Sequence, residues 1–411
     1  MKIFNRKLKI TSSALLTLCM VFVMTACAEN SSQSEKSQPA EQTTVQPTTM
    51  SAEEINDRKL DKFISDMTLE EKVGQMFFVR CPDEDAVQQV SKYNIGGYIL
   101  FGRDFDGKTK DEVVYDIHSY QNEADIPLLI GVDEEGGTVV RVSSNPNLRE
   151  TPFLSPKDTY ADGGWDAVKH DAEEKADLLL SLGINVNLAP VCDMTSDEYG
   201  FMYDRSFSSD VDMENRYVRT VVEISKSKKL GTVLKHFPGY GNNSDTHTGI
   251  AYDDRDYSEF ENTDFKPFYQ GIDSGADCIL VSHNIVNCMD SEYPASLSQK
   301  VHDILRNEFK FDGVIMTDDL IMDAITDFTG DEAAAVTAAK CGNDLLCCSS
   351  VDTQYPAVLE AVQNGEISEA QVDASVKRIL KWKQNLGIFN IDTYQKKVKS
   401  TEPTDTVGSE E

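Results

Sequence analysis

Between residues 51 and 390, short apolar runs alternate with longer stretches whose apolar positions recur at helical spacing. The runs are VGQMFFVR (73–80), IGGYILFG (95–102), PLLIGVD (127–133), INVNLAPV (184–191), TVLKHF (232–237), CILVSH (278–283), GVIMTD (313–318) and DLLCCS (344–349), eight in all. Near-continuous apolarity at this length marks strands buried on both faces, as in parallel sheets. Helical patterns fill most of the gaps, among them KDEVVYDIHSYQNEA, DAEEKADLLLSLG, DMENRYVRTVVEISKSKK and SEAQVDASVKRILKWKQNLG. Ser51 with Glu54, and Thr68 with Glu71, have the spacing of capping boxes at helix starts. Eight βα units predict an α/β fold, a (β/α)8 barrel of the TIM type. A doubly wound open sheet would carry a Gly-rich phosphate turn after its first strand, and VRCPDED is not one.

The flanks have other patterns. Residues 1–26 begin with the basic MKIFNRKLK and continue into ALLTLCMVFVM, too short to span a bilayer comfortably. The stretch ends in MTAC, which resembles the lipobox of bacterial lipoproteins and implies a signal peptide cleaved before Cys27, with a lipid on that sulfur. Residues 27–50 hold almost no large apolar side chains and much Ser, Gln, Thr, Glu and Pro, the composition of a disordered tether. Residues 391–411 are expected to be a polar tail. The expected location is extracytoplasmic, lipid-anchored to the cell membrane.

The formal net charge of −31 repels phosphate backbones and argues against nucleic acid as a partner. Beyond Cys19 and Cys27 the seven remaining cysteines form no CxxC pair and no zinc-like grouping with histidine. Several lie in apolar runs and are expected to be buried free thiols. Outside the cell a Cys278–Cys288 disulfide stays open.

A barrel gathers its chemistry at the C-terminal ends of its strands. Strand three ends in Asp133, followed by EEGG; the loop after strand four holds Asp204 and Arg205. Strand five ends in Lys235 and His236, strand six in Ser282 and His283, strand seven in Asp318 and Asp319. The loop after strand five adds Asp245 and His247. His118, His170 and His302 fall in or beside helical patterns and read as surface or structural residues. No HExxH, zinc-spaced histidine cluster or GxSxG elbow is present. A rigidly held strand-end carboxylate suits a nucleophile, and a carboxylate-oriented histidine suits a proton shuttle. Together they are the parts of retaining glycoside hydrolysis, where the shuttle is usually a second carboxylic acid. The same DxH pair in a Gly/Asn/Ser loop also fits a turn held by Asx-type hydrogen bonds.

Motifs in matching order, spanning about residues 60–390, are MTLEEKVGQMF, GGYILFGRD, GVDEEGGTVVRV, NVNLAPVCDM with DRSF, KHFPGYG, GVIMTDDLIM and VDASVKRILKWKQNLGIF. On these the chain resembles glycoside hydrolase family 3, in particular its bacterial β-N-acetylglucosaminidase branch. The resemblance implies a barrel that works through a covalent glycosyl-enzyme intermediate. Asp318 would be the nucleophile, His247 the acid/base and Asp245 its partner. Asp133, Arg141, Arg205, Lys235 and His236 match positions that bind the terminal sugar. The sequence departs from the family pattern in three places. Tyr240 replaces the histidine of PGHG, Thr138 stands for the usual arginine, and three residues rather than four separate Gly241 from Asp245.

The function this implies is an exo-acting β-N-acetylglucosaminidase removing terminal GlcNAc from cell-wall or chitin-type oligosaccharides. A β-glucosidase, a glycoside phosphorylase and a catalytically silent sugar-binding lipoprotein are the alternatives. No metal or organic cofactor is called for. The expected partners are an oligosaccharide and, through the lipid, the membrane; the expected state is a monomer. Family relatives often carry an open-sheet domain after the barrel, and none is expected here: residues 51–390 form a single catalytic domain.

Overall fold

The computed structural model describes residues 50–243 and 249–396. All eight apolar runs contain a strand, and the strands form one parallel sheet. In chain order the strands are Phe77–Arg80, Gly97–Leu100, Leu129–Val132, Val186–Asn187, Gly231–Phe237, Cys278–Val281, Val314–Thr317 and Leu346–Cys348, called here strands one to eight. Strand one pairs with strand two on one side and with strand eight on the other. The ring closes between strands seven and eight through the bridge Met316–Leu345 and the hydrogen bonds of Asp344 N and Leu345 N to Ile315 O. A separate two-stranded ladder pairs Tyr252–Asp253 with Ile285–Val286 at the C-terminal rim.

Side-chain alternation explains why the runs are apolar throughout. Phe78, Ile99, Leu129, Val186, Val233, Cys278, Leu280, Val314, Met316 and Cys347 pack in the barrel interior. Their neighbours Phe77, Val79, Tyr98, Leu100, Ile130, Val132 and Leu346 pack outward against the helices. The first run is mixed, because residues 73–75 still belong to the helix Leu69–Gln75. Both expected capping boxes form, on Ser51 and on Thr68. The run DAEEKADLLLSLG falls in the second part of Pro156–Leu182, which is broken at Gly163 and Gly164 and capped by Gly183.

The last helix, Glu369–Asn385, carries Ile379 and Trp382 into the interior cluster and closes the N-terminal end of the barrel. Residues 391–396, assigned by composition to the polar tail, dock on the same end. Tyr394 meets the Phe63 ring edge-on at 4.9 Å, and Lys396 reaches Glu71. Among the described residues no helix is long and apolar enough to cross a membrane.

All seven described cysteines are free, and six are buried, as expected of small apolar side chains in a core. The Cys278–Cys288 disulfide does not form. Cys278 starts strand six facing the barrel interior, while Cys288 is exposed beyond the rim.

At the closing seam, buried Asp344 accepts hydrogen bonds from Arg306 Nη2, Ile315 N, Ser375 Oγ and Arg378 Nη1 at 2.5–2.9 Å. It ties strand seven to the closing helix. Asp344→Ala leaves two guanidinium groups without their shared acceptor and is expected to cost about 3–5 kcal/mol. Asp66→Ala removes only an exposed pair with Lys62 and should change stability by at most about 1 kcal/mol. Urea unfolding of both variants checks the contrast.

Lys383 is fully buried and donates to Gln75 Oε1 at 2.8 Å; burial pushes its amine down to about 7. Between that value and the ordinary lysine range the unfolded chain binds the extra proton. This residue's contribution to stability therefore rises with pH from about 7 to about 10. Lys383→Met should remove that rise, read as Tm against pH.

Candidate active site

The C-terminal ends of the strands enclose a cavity of about 620 Å³ lined by Asp133, Arg141, Arg205, Lys235, His236 and Asp318, among others. The six predicted site residues that are described thus meet in one place. Asp245, His247 and Cys27 lie outside the described residues.

Two local devices aim these side chains. The first is a bulge in strand five. Leu234 pairs with Ile279 and Phe237 with Val281, so two residues of strand five oppose one of strand six. Successive strand residues normally face opposite ways; the extra residue re-aims the chain, and Lys235 and His236 both line the cavity. The second is the turn after strand three. Gly136 and Gly137 adopt φ of +103° and +63°, and a Cβ on Gly136 would lie 2.1 Å from Leu154 O. Only glycine fits there. Glu134 accepts from the backbone N–H of Arg141 at 2.9 Å and of Val142 at 2.7 Å, folding the segment back over the rim.

The turn also points Glu135 inward, where it is the hub of a buried ion cluster. Lys235 Nζ lies 2.6 Å from both Asp133 Oδ1 and Glu135 Oε1. Arg205 grips Glu135 with two bonds, Nε to Oε2 at 2.9 Å and Nη2 to Oε1 at 2.8 Å. Burial opposes the ionised form of Glu135, but the charges of Arg205 and Lys235 outweigh it and hold the carboxyl well below the usual range. Burial likewise opposes the charged Lys235, and Asp133 and Glu135 overcome it, raising the ammonium above its ordinary value.

The cluster continues into a histidine. Arg205 Nη2 lies 3.1 Å from His236 Nε2. A guanidinium only donates, so Nε2 is the acceptor and Nδ1 carries the proton. Nδ1 donates to Asp193 Oδ2 at 2.7 Å. Asp193 also accepts the backbone N–H of His236 at 2.9 Å and of Tyr240 at 2.7 Å. Tyr240, in the place of the family histidine, is buried with its ring edge-on to His236 at 5.3 Å.

Asp318 and Asp319 both line the cavity, and their surroundings differ. Asp319 accepts from Ser349 Oγ at 2.5 Å and from Ile321 N at 3.2 Å. Burial pushes its carboxyl up, against the Ser349 bond and with the Asp318 charge. Asp319 is bound into the rim, while Asp318 Oδ1 accepts from Asp319 N at 2.9 Å.

Not every strand-end residue joins the site. His283 is buried between Ser296 Oγ at 2.7 Å and the Asp319 carbonyl at 3.0 Å, so it supports the strand-seven turn from behind. Ser282 donates to Phe237 O, and Asp204 is exposed. His118 and His170 are exposed, while His302 is buried against Ser298 O. Sequence reasoning assigned no role to Glu135, Asp193 or Arg80, although the EEGG turn was a visible signal for the first. Among the described residues no group of three or more His, Cys, Asp or Glu side chains is arranged to hold a metal ion. A second cavity, at the N-terminal end, is lined largely by apolar residues such as Phe63, Met67 and Ile126 and lies away from these groups.

Residues 68–382 match the model of the glycosyl hydrolase family 3 N terminal domain. A beta-hexosaminidase of Nitrosomonas eutropha is 32% identical over 273 residues, 64% of this chain and 77% of that protein. One from Hydrogenovibrio crunogenus is 30% identical over 286 residues, 68% and 79% of the two chains. The solved glycoside hydrolase family 3 β-N-acetylglucosaminidase of Paenibacillus sp. superposes with a TM-score of 0.73 at 29% identity, covering 84% of this chain and 66% of that one. The β-N-acetylhexosaminidase of Beutenbergia cavernae gives 0.70 at 25% identity, covering 78% and 99%.

Glu135→Gln keeps the shape of the hub and removes its charge. The variant should lose about 3–5 kcal/mol of stability at neutral pH. Because the folded carboxyl titrates below the unfolded one, that deficit shrinks as pH falls below about 4. Unfolding curves at pH 7 and pH 3 check the sign.

Proposed function

The chain belongs to glycosyl hydrolase family 3, and we propose that it is a retaining, exo-acting β-N-acetylglucosaminidase. The observation that carries this reading is the convergence of Asp318 with Asp133, Arg141, Arg205, Lys235 and His236 on one cavity. The last five grip the hydroxyls of a terminal sugar. The ion cluster holds Lys235 and Arg205 rigid before substrate arrives, so little ordering remains to be done on binding.

The Asp318 carboxylate attacks the anomeric carbon while His247 protonates the departing glycosidic oxygen. A glycosyl ester on Asp318 results. Water then attacks the same carbon, His247 takes its proton, and the carboxylate leaves. Asp245 orients the imidazole and stabilises its charged form. The N-acetyl preference rests on the relatives named beta-hexosaminidase and β-N-acetylglucosaminidase. The substrates are terminal GlcNAc units of cell-wall or chitin-type oligosaccharides. The protein works outside the cytoplasm, tethered by a lipid on Cys27.

Aryl glycosides test the reading. The protein should cleave 4-nitrophenyl N-acetyl-β-glucosaminide in preference to the glucoside, without acceleration by phosphate. Asp318→Asn should abolish turnover. His247→Ala should slow substrates with poor leaving groups by about 10²–10⁴-fold and activated aryl substrates far less. Equal activity of His247→Ala on both would remove the shuttle from the mechanism.

A further inference from the structure

Two guanidinium groups of the cavity have no ion-pair partner among the described residues. Arg80 ends strand one and Arg141 follows the Glu135 turn, and both line the cavity. The Nε atom of each is buried without a hydrogen-bond partner, and neither forms an ion pair with a described residue. They contact the same ring: Cζ of Arg80 lies 4.4 Å and Cζ of Arg141 5.8 Å from the centroid of Phe101.

The arrangement is unlike the other cations of the cavity. Lys235 and Arg205 are neutralised by Asp133 and Glu135. The acids Asp318 and Asp319 sit beyond strand seven, across strand eight from strand one, and Asp323 opens the helix Asp323–Thr329 that follows. Arg80 and Arg141 therefore form a cationic patch on the side of the cavity away from the acids of strand seven. Stacking on Phe101 orients the planar groups and leaves their N–H edges to seek an acceptor. Two like charges on one ring repel each other, and the sugar hydroxyl that Arg141 would grip does not cancel that repulsion. A planar carboxylate or a phosphate accepts from both at once. Arg80 also borders an adjoining cavity of about 370 Å³ with Ser349 and Ser350, whose acids Asp83 and Asp352 are paired with Arg103 and Lys92, so a substituent larger than a hydroxyl has room beside it.

We propose that Arg80, Phe101 and Arg141 form a subsite for an anionic substituent, a carboxylate or a phosphate, carried by the bound sugar. The inference deepens the reading of this cavity as a sugar site and rests on it. Arg80 is then a specificity-determining residue, set on a strand that the predicted site left unused.

Calorimetric titration of the full chain with three sugars tests it: N-acetylglucosamine, N-acetylmuramic acid with its lactyl carboxylate, and N-acetylglucosamine 6-phosphate. At least one anionic sugar should bind about tenfold or more tightly than the neutral one, and added salt should erode the difference. Which of the two wins identifies the substituent. Arg80→Gln should bring the affinity ratio close to one, while Arg80→Lys retains part of it because the charge survives. Equal binding of all three sugars by the unaltered protein would overturn the subsite, as would a preference that persists in Arg80→Gln. The unaltered protein decides the matter even where a variant fails to fold. Aryl glycoside turnover reports separately on the glycosidase reading, so an active enzyme that binds all three sugars alike loses only the subsite.

Discussion

The site depends on keeping charges inside a barrel. Glu135 and Lys235 are almost completely withdrawn from water, and an unpaired charge at such a position costs several kcal/mol. The fold meets this cost by arranging the charges as one connected series. Asp133 and Glu135 hold Lys235, Glu135 holds Arg205, Arg205 touches His236, and His236 leans on Asp193. The residues come from the ends of strands three and five and the segments after strands three and four. The series therefore closes only when the barrel does. Its rigidity is the physical reason a sugar would find donors and acceptors already in position.

Much of the architecture was legible in the apolar pattern, for a specific reason. Strands buried on both faces leave no polar alternation to confuse them with loops, so each of the eight runs contains a strand. Lys235, His236, Asp133 and Asp318 were legible because a barrel places strand ends on one rim. Glu135 and Asp193 were not assigned a role, since their function is set by partners far along the chain: Arg205 lies seventy residues from Glu135 in sequence, and His236 forty-three from Asp193. His283 misled in the opposite direction. It stands at a strand end as His236 does, but without a bulge it turns behind the rim onto Ser296 and the Asp319 carbonyl. Periodicity does not reveal a bulge, and the bulge is what allows two successive side chains of strand five into the cavity.

The two halves of the cavity have different electrostatic characters, and this asymmetry follows from where the pairing stops. Lys235 and Arg205 have their acids in Asp133 and Glu135. Arg80 and Arg141 share the face of Phe101 and have no ion-pair partner among the described residues. Family membership explains the first half, because the paired residues occupy the motifs by which the family is recognised. Of Arg80, Phe101 and Arg141, Arg80 alone lies outside those motifs.

The central claim is that the Asp318 carboxylate becomes covalently bonded to the sugar in the cavity these strands enclose. Incubation with a slow fluoro-glycoside of N-acetylglucosamine, followed by proteolysis and mass spectrometry, tests it directly. The account predicts one glycosyl group per chain, on the peptide containing Asp318 and on that side chain. A label on Asp319 or on any other residue, or turnover with no covalent adduct under conditions that trap a retaining enzyme, would contradict it.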